Sequence, residues 1–243
     1  RIGSVNTILR RPDGTLLGDN TDYDGFLYLL KSAGAQVEGR KALVLGSGGA
    51  SLTVRAVLSE LGAREIITIS RSGENNYQNL DRHADAQIIV NATPVGMYPN
   101  NGVSPVDLDQ FPQCEGVFDL IYNPSKTQLL LQAQRRGLIW GNGLGMLVAQ
   151  AKAASERFQG KKLPDELVAD ITAKLERETK NILLIGMPGC GKTTIGKALA
   201  QRLGRPLADV DEKIIEEAGC SIPHIFASEG EEGFRVREHR ALA

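Results

Sequence analysis

The chain has 243 residues, 42% hydrophobic and 23% charged, with a formal net charge of -1. That balance is the profile of a soluble globular protein of one or two domains, and it excludes a cationic nucleic-acid surface and a like-charged tail. No apolar run reaches about 18 residues, so no membrane span is expected, and the odd, widely spaced Cys114, Cys190 and Cys220 fit a reducing cytoplasm rather than a disulfide framework.

The opening run "RIGSVNTI" has neither a starting Met nor the form of a signal peptide, so the chain is expected to be an internal piece of a longer protein. "SVNTILRRPDGTLLGDNTD" reads as two β-rich runs around Pro12-Asp13-Gly14, hence a hairpin. Asn20, Thr21 and Asp22 offer N-cap chemistry for a helix that closes near Gly34. From Lys41 the order alternates: strand 41–46, helix 53–62, strands 65–70, 86–93 and 116–122, then helix 126–137. Strands interleaved with helices of this length predict parallel βαβ units, an α/β fold with a doubly wound parallel sheet. Helices are expected over 146–158 and 164–178, the second carrying an apolar stripe at Leu167, Ile171 and Leu175 that must pack on something. After a tight boundary near Thr179–Lys180 come a strand at 181–186, a glycine-rich loop, a helix over 193–204 and a short strand entering "LADVD".

Two glycine loops carry the chemistry. Gly46, Ser47, Gly48, Gly49, Ala50 and Ser51 follow an apolar strand and open a helix, as a dinucleotide pyrophosphate requires: a tight turn, close backbone approach and a helix N-terminus. Ser51 departs from the Gly or Ala usual at the third position. About 20 residues on, the next strand ends in Ser70, Arg71 and Ser72, with no carboxylate for ribose hydroxyls and an arginine suited to a 2′-phosphate, which points to NADP.

"VNTI", "GDNTDYDG", "LGSGGAS", "VNATPVGM", "FDLIYNPSKT" and "GNGLGMLVAQA" occur in one order over some 150 residues, and together they resemble shikimate dehydrogenase. The resemblance implies a Rossmann-like NADP domain and reduction of 3-dehydroshikimate to shikimate. It implies Asp22 as the aspartate of a lysine–aspartate catalytic pair, and Asn6, Tyr122 and Gln150 as further substrate contacts. Leu120 and Gly143 are implied at the nicotinamide end. The family's lysine motif lies upstream of "VNT" and has no match in this chain. Plainer readings stand beside these: Asp22 as a helix cap, Asn6 at a strand end, Tyr122 as core edge, Gln150 as a surface residue.

The second loop, Gly186 to Thr193, fits G-x-x-x-x-G-K-[ST] and lies between an expected strand and helix. Its backbone N–H groups suit ATP phosphates, Lys192 their negative charge and the Thr193 hydroxyl a Mg2+ ion; Gly189, Cys190, Gly191 and Thr194 complete the loop. "LADVDEKIIEEAGCSIPHIFASEGEEGFRVRE" resembles shikimate kinase. That resemblance implies Asp209 near the metal, Asp211 on substrate hydroxyls and Arg235 on the substrate carboxylate, a pairing that suits a planar guanidinium. The expected organisation is a substrate-domain remnant at 1–20, the NADP domain at 21–152, helices at 153–180 and the first part of a P-loop kinase domain at 181–243. The implied parent enzyme makes shikimate and then phosphorylates it to shikimate 3-phosphate, with small-molecule partners and no nucleic acid or membrane. Neither turnover is expected of the isolated chain. The alternatives are a nucleotide-binding module without chemistry, or a quinate/shikimate dehydrogenase fused to a kinase.

Overall fold

The computed structural model describes residues 2–187 and 189–242. The chain divides into two compact units, Arg1–Thr179 and Lys180–Ala243.

The first unit opens with the expected hairpin, β1 (Thr7–Arg10) antiparallel to β2 (Leu16–Asp19). The helix α1 (Asp22–Ser32) follows and ends before Gly34, whose φ of 72° is left-handed. The N-cap position of α1 is Thr21, which makes no side-chain cap bond; Asn20 accepts from the Asp22 N–H instead. Asp22 is therefore the first residue inside the helix rather than its cap.

The main sheet contains β3 (Lys41–Leu45), β4 (Glu65–Ile69), β5 (Ile88–Asn91), β6 (Gly116–Asp119) and β7 (Ile139–Gly141), in the order β4-β3-β5-β6-β7 and parallel throughout. Between them run α2 (Gly49–Glu60) and α3 (Gln128–Arg135), and after β7 come α4 (Gly143–Gln159) and α5 (Glu166–Thr179). Strand residues alternate between the two faces, so one strand feeds two cores. Leu43, Leu45, Ile89 and Val117 pack with Leu129, Leu130 and Ala133 of α3. Ala42, Val44, Ile88, Val90 and Phe118 pack with Phe26, Leu29 and Leu30 of α1 and Val54, Val57 and Leu58 of α2. Burial on both faces is what makes β3 an unbroken apolar run after Lys41, whose ammonium reaches Asp85 at 2.8 Å and Glu65 at 3.5 Å.

Several expectations need correction. The edge strand β7 was not anticipated: three residues with exposed or half-buried sides give no periodic signal, and only pairing with β6 defines it. Two helices start earlier than expected, α2 at Gly49 and α4 at Gly143, because the glycine turns themselves enter the helices. The α5 stripe is re-aimed. Val168 is the buried residue, packed with Val148 and Ala149 of α4 and flanked by Leu175, whereas Ile171 is 37% exposed.

The second unit holds α6 (Lys192–Leu203), α7 (Val210–Ala218) and α8 (Ile222–Leu242), the last broken at Gly230 with φ 72° and ψ -173°. Ile214 of α7 and Ile225, Phe234 and Ala241 of α8 form its core. The strands expected at 181–186 and before Asp209 belong to no ladder among the described residues. With no ladder partner among the described residues the apolar run stays open: Leu183 is 68% and Ile185 84% exposed. No helix among the described residues is long and apolar enough to cross a membrane.

Candidate functional site

In a parallel sheet the ligand crevice forms beyond the carboxyl ends of the strands, where successive connections leave in opposite directions. Here that point lies between β3, whose connection runs outward to β4, and β5, which pairs on the other side. The residues expected to bind cofactor in the first unit follow those carboxyl ends: Gly46 to Ala50 after β3, Ser70 to Ser72 after β4, Leu120 after β6 and Gly143 after β7.

The turn after β3 admits only glycine at its first position. Gly46 has φ 105°, and a Cβ there would stand 2.9 Å from Thr93 Cγ2 and 3.0 Å from the Ala92 carbonyl oxygen. Its N–H donates to the Ile69 carbonyl at 2.8 Å, which ties the turn to β4. Around Gly48 and Gly49 a Cβ would meet nothing within 4 Å, and the N-cap Gly48 leaves the first N–H groups of α2 without a side-chain partner. This is a cradle open to an anionic group, so the site fits a dinucleotide pyrophosphate. Ser51 is buried, and its hydroxyl donates to the Gly48 carbonyl at 2.6 Å. The unusual residue at the third position thus braces the turn.

Beyond β4, the Ser70 N–H donates to the Asn75 carbonyl at 3.1 Å and folds the Ser70–Ser72 segment over a short Asn-rich loop. Arg71 is exposed at its tip, and its charge is felt by the half-buried Tyr77, whose phenol burial pushes upward in pKa. At the far side, Gly143 closes directly on Leu120: a Cβ at 143 would lie 2.0 Å from the Leu120 carbonyl oxygen. The Gly143 N–H donates to the Ile121 carbonyl at 3.0 Å.

A buried polar cluster organises these loops. Asp119, fully buried, accepts from the Thr127 hydroxyl at 2.6 Å, from the Ile121 N–H at 3.0 Å and from the Asn91 amide at 3.1 Å. Burial raises its pKa, and these three bonds oppose the rise. Sequence reasoning missed Asn91, Asp119 and Thr127. Their signal was a polar residue closing each apolar strand, β5 with Asn91 and β6 with Asp119.

Asn6, Asp22 and Gln150 come together from three segments. The Asn6 Oδ1 accepts from the Thr21 N–H at 2.9 Å and from the Thr7 hydroxyl at 3.0 Å, and the Thr21 hydroxyl lies 3.3 Å from it. The Thr21 hydroxyl also lies 3.2 Å from Gln150 Oε1. Gln150 reaches it because α4 runs against Gly25, where a Cβ would stand 2.6 Å from the Met146 carbonyl oxygen. Burial pushes the Asp22 carboxyl up in pKa, and a hydrogen bond from the Asn6 amide works the other way. Asn20 joins this cluster to the cofactor side, donating to the Thr53 hydroxyl of α2 at 3.1 Å and to the Ser4 hydroxyl at 2.6 Å. Arg157 of α4 clamps the same region through ion pairs with Asp19 and, at 2.7 Å, Asp24. Tyr122, 52% exposed, makes no hydrogen bond to this group among the described residues.

In the second unit, Gly189 and Gly191 take φ of 76° and 86° with open space beside them. Lys192 Nζ turns back onto the carbonyls of Gly186 at 2.8 Å and Met187 at 2.9 Å, and Gly191 leaves the α6 N-terminus without a side-chain cap. Such a loop fits a polyphosphate. Cys190 and Thr194 are exposed beside it. The Thr193 hydroxyl and the Asp209 carboxylate are 3.2 Å apart. Asp209 also caps α7 by accepting from the Asp211 N–H at 3.0 Å. Asp211 is exposed in the first turn of α7, and Arg235 is paired along α8 with Glu238 at 2.8 Å and Glu231 at 3.3 Å.

Residues 188–243 match the family model described as shikimate kinase. The chain is 35% identical over 188 residues to the shikimate dehydrogenase (NADP(+)) of Clostridium perfringens strain ATCC 13124, an alignment covering 72% of this chain and 69% of that one. It is 36% identical over 179 residues to the enzyme of the same name from Caldanaerobacter subterraneus subsp. tengcongensis, covering 66% and 64%. Among solved structures it is similar to a chorismate mutase/shikimate 5-dehydrogenase fusion protein from Clostridium acetobutylicum, with a TM-score of 0.70, 35% identity and coverage of 74% and 70%. The chain thus spans between 64% and 69% of the length of those two dehydrogenases. Sequence, sheet order and the glycine cradle after β3 agree, and the chain belongs to the shikimate dehydrogenase family.

Proposed function

We propose that the protein carrying this chain reduces 3-dehydroshikimate to shikimate with NADPH and phosphorylates shikimate at the expense of ATP. The observation that carries the reading is the direct link between the Asn6–Asp22–Gln150 cluster and the cofactor cradle, through the Asn20–Thr53 hydrogen bond at 3.1 Å. The names of the relatives, which specify NADP(+), and the kinase match over 188–243 support the two halves.

Gly46, Ser47, Gly48, Gly49 and Ala50 hold the pyrophosphate against the α2 N-terminus, while Ser70, Arg71 and Ser72 take the 2′-phosphate; Leu120 and Gly143 bound the nicotinamide end. NADPH, when bound, supplies the hydride. Asn6 and Gln150 orient the substrate's hydroxyls with their amides, and Tyr122 borders it. Asp22, with its raised pKa, holds or yields a proton at the oxygen that gains charge as the carbonyl is reduced. In the second unit Gly189, Cys190, Gly191, Lys192 and Thr194 surround the ATP phosphates. Thr193 and Asp209, 3.2 Å apart, would hold Mg2+, a hard ion that takes oxygen ligands and would offset the phosphate charge. Asp211 accepts from substrate hydroxyls, and Arg235, released from Glu231 and Glu238, meets the substrate carboxylate.

Calorimetry on the full chain tests both halves. NADPH binds more tightly than NADH, and Arg71→Ala removes about 10- to 100-fold of that preference, the worth of a charged hydrogen bond. Mg·ATP gives a binding heat that Lys192→Ala abolishes. Absence of NADPH binding defeats the dehydrogenase half, and absence of Mg·ATP binding defeats the kinase half.

A further inference from the structure

We infer that Thr21 is a positioning residue that orients the Asn6 and Gln150 side-chain amides so that both present NH2 donors to the substrate; this rests on the substrate reading above. An Asn or Gln side chain can flip by exchanging its oxygen and nitrogen, and only its partners choose between the two states. At Asn6 the choice is forced. A backbone N–H can only donate, so the atom 2.9 Å from the Thr21 N–H is the Asn6 oxygen. The Thr7 hydroxyl, 3.0 Å away, supplies a second donor to the same oxygen. The Asn6 NH2 is therefore on the opposite side, where it meets the Asp22 carboxylate.

The Thr21 hydroxyl then fixes Gln150. It has one hydrogen, and the Asn6 oxygen already receives two donors. Three oxygens lie within its reach, Gln150 Oε1 at 3.2 Å, Asn6 Oδ1 at 3.3 Å and Thr7 Oγ1 at 3.4 Å. With the Asn6 oxygen already served twice, we assign the hydrogen to Gln150 Oε1, the nearest of the three, which turns the Gln150 NH2 away from Thr21. Thr21 itself is fully buried and does not meet solvent, and so water cannot take over its role. One residue, 15 positions from Asn6 and 129 from Gln150, thus sets the donor pattern of two side chains on different segments, Asn6 through its backbone N–H and Gln150 through its hydroxyl. The resulting site offers amide donors from Asn6 and Gln150 beside the Asp22 acceptor, a pattern for a ligand that carries adjacent oxygen atoms able both to accept and to donate. Three contiguous ring oxygens of a polyhydroxylated acid have that character.

The test is NMR on the 15N-labelled full chain, reading the side-chain amides of Asn6 and Gln150. In the wild type and in Thr21→Ser, each amide gives one pair of signals, and the Gln150 amide protons show no Overhauser contact with residue 21. In Thr21→Val, which keeps the shape and removes the hydroxyl, Gln150 gives a second pair that contacts the Val methyls. Shikimate titrated in the presence of NADP+ binds about tenfold more weakly to Thr21→Val, the value of one hydrogen bond, and Thr21→Ser regains the affinity. Wild-type signals and wild-type affinity in Thr21→Val overturn the inference. So does contact between the Gln150 amide protons and Thr21 in the wild type, a measurement that needs no variant to fold. If shikimate moves no signal in the wild type, the substrate reading fails, and the ligand-free amide signals still decide the role of Thr21.

Discussion

The carboxyl of Asp22 lies under two opposed influences: partial burial, which favours the neutral form, and the Asn6 amide, which favours the charged one. Burial dominates, so the folded protein holds the Asp22 proton more tightly than the unfolded chain does. Stability contributed by that proton is present at low pH and is lost as pH rises from 3.8 through the raised folded value. Asp22→Asn removes the penalty. Urea denaturation across a pH series should show the variant more stable than wild type near neutrality, with the difference shrinking as pH falls toward 3.8. A difference that stays constant with pH would contradict this account. On the proposed reading the same proton serves the chemistry, because a carboxyl that keeps its proton to higher pH is available to a nascent alkoxide.

At the scale of the element, the β3–α2 turn holds one glycine without room for a Cβ and one with open space beside it, which on the proposed reading separates folding from binding. Gly46 has a left-handed φ and no room for a Cβ. Gly46→Ala should destabilise the protein by about 1–3 kcal/mol, the usual cost of forced backbone strain, and weaken NADPH as well. Gly48 has an ordinary φ of -78° and open space around it. Gly48→Ala should melt like wild type yet lose NADPH affinity, because the added methyl occupies the approach of the pyrophosphate. Thermal melts alongside NADPH titration read both, and equal melting losses in the two variants would show that the empty space has no ligand role. The glycine spacing alone revealed that a turn was present. It did not reveal which glycine carried which burden, since that depends on Ala92 and Thr93 more than 40 residues away.

Across the whole molecule the two units differ in how they meet the cost of folding. The first has buried clusters on both faces of its sheet. Among its described residues the second has four buried apolar ones and an open segment in which Ile182, Leu183, Ile185 and Met187 are all more than half exposed. Little apolar burial must offset the ordering of three helices there, so this unit is expected to open first. Hydrogen exchange on the full chain should find residues 182–187 unprotected and α7 and α8 weakly protected. The central strands β3, β5 and β6 should exchange slowest. Uniform protection across both units would refute the ranking.

Local chemistry was enough to locate the elements: the Pro12-Asp13-Gly14 turn, the apolar runs of β3 to β6, the glycine loops and the helix that ends just before Gly34 are each decided by neighbours in the chain. Tertiary structure alone decided the rest. It paired β7 with β6, gave the 181–187 run no ladder among the described residues, turned Val168 rather than Ile171 inward, and gathered Asn6, Thr21, Asp22 and Gln150 into one polar group. The reason is physical. A turn or a strand period depends on bonds within a few residues, whereas ladder pairing, burial and the direction of a pKa shift depend on which distant segments share space, and no local pattern encodes that.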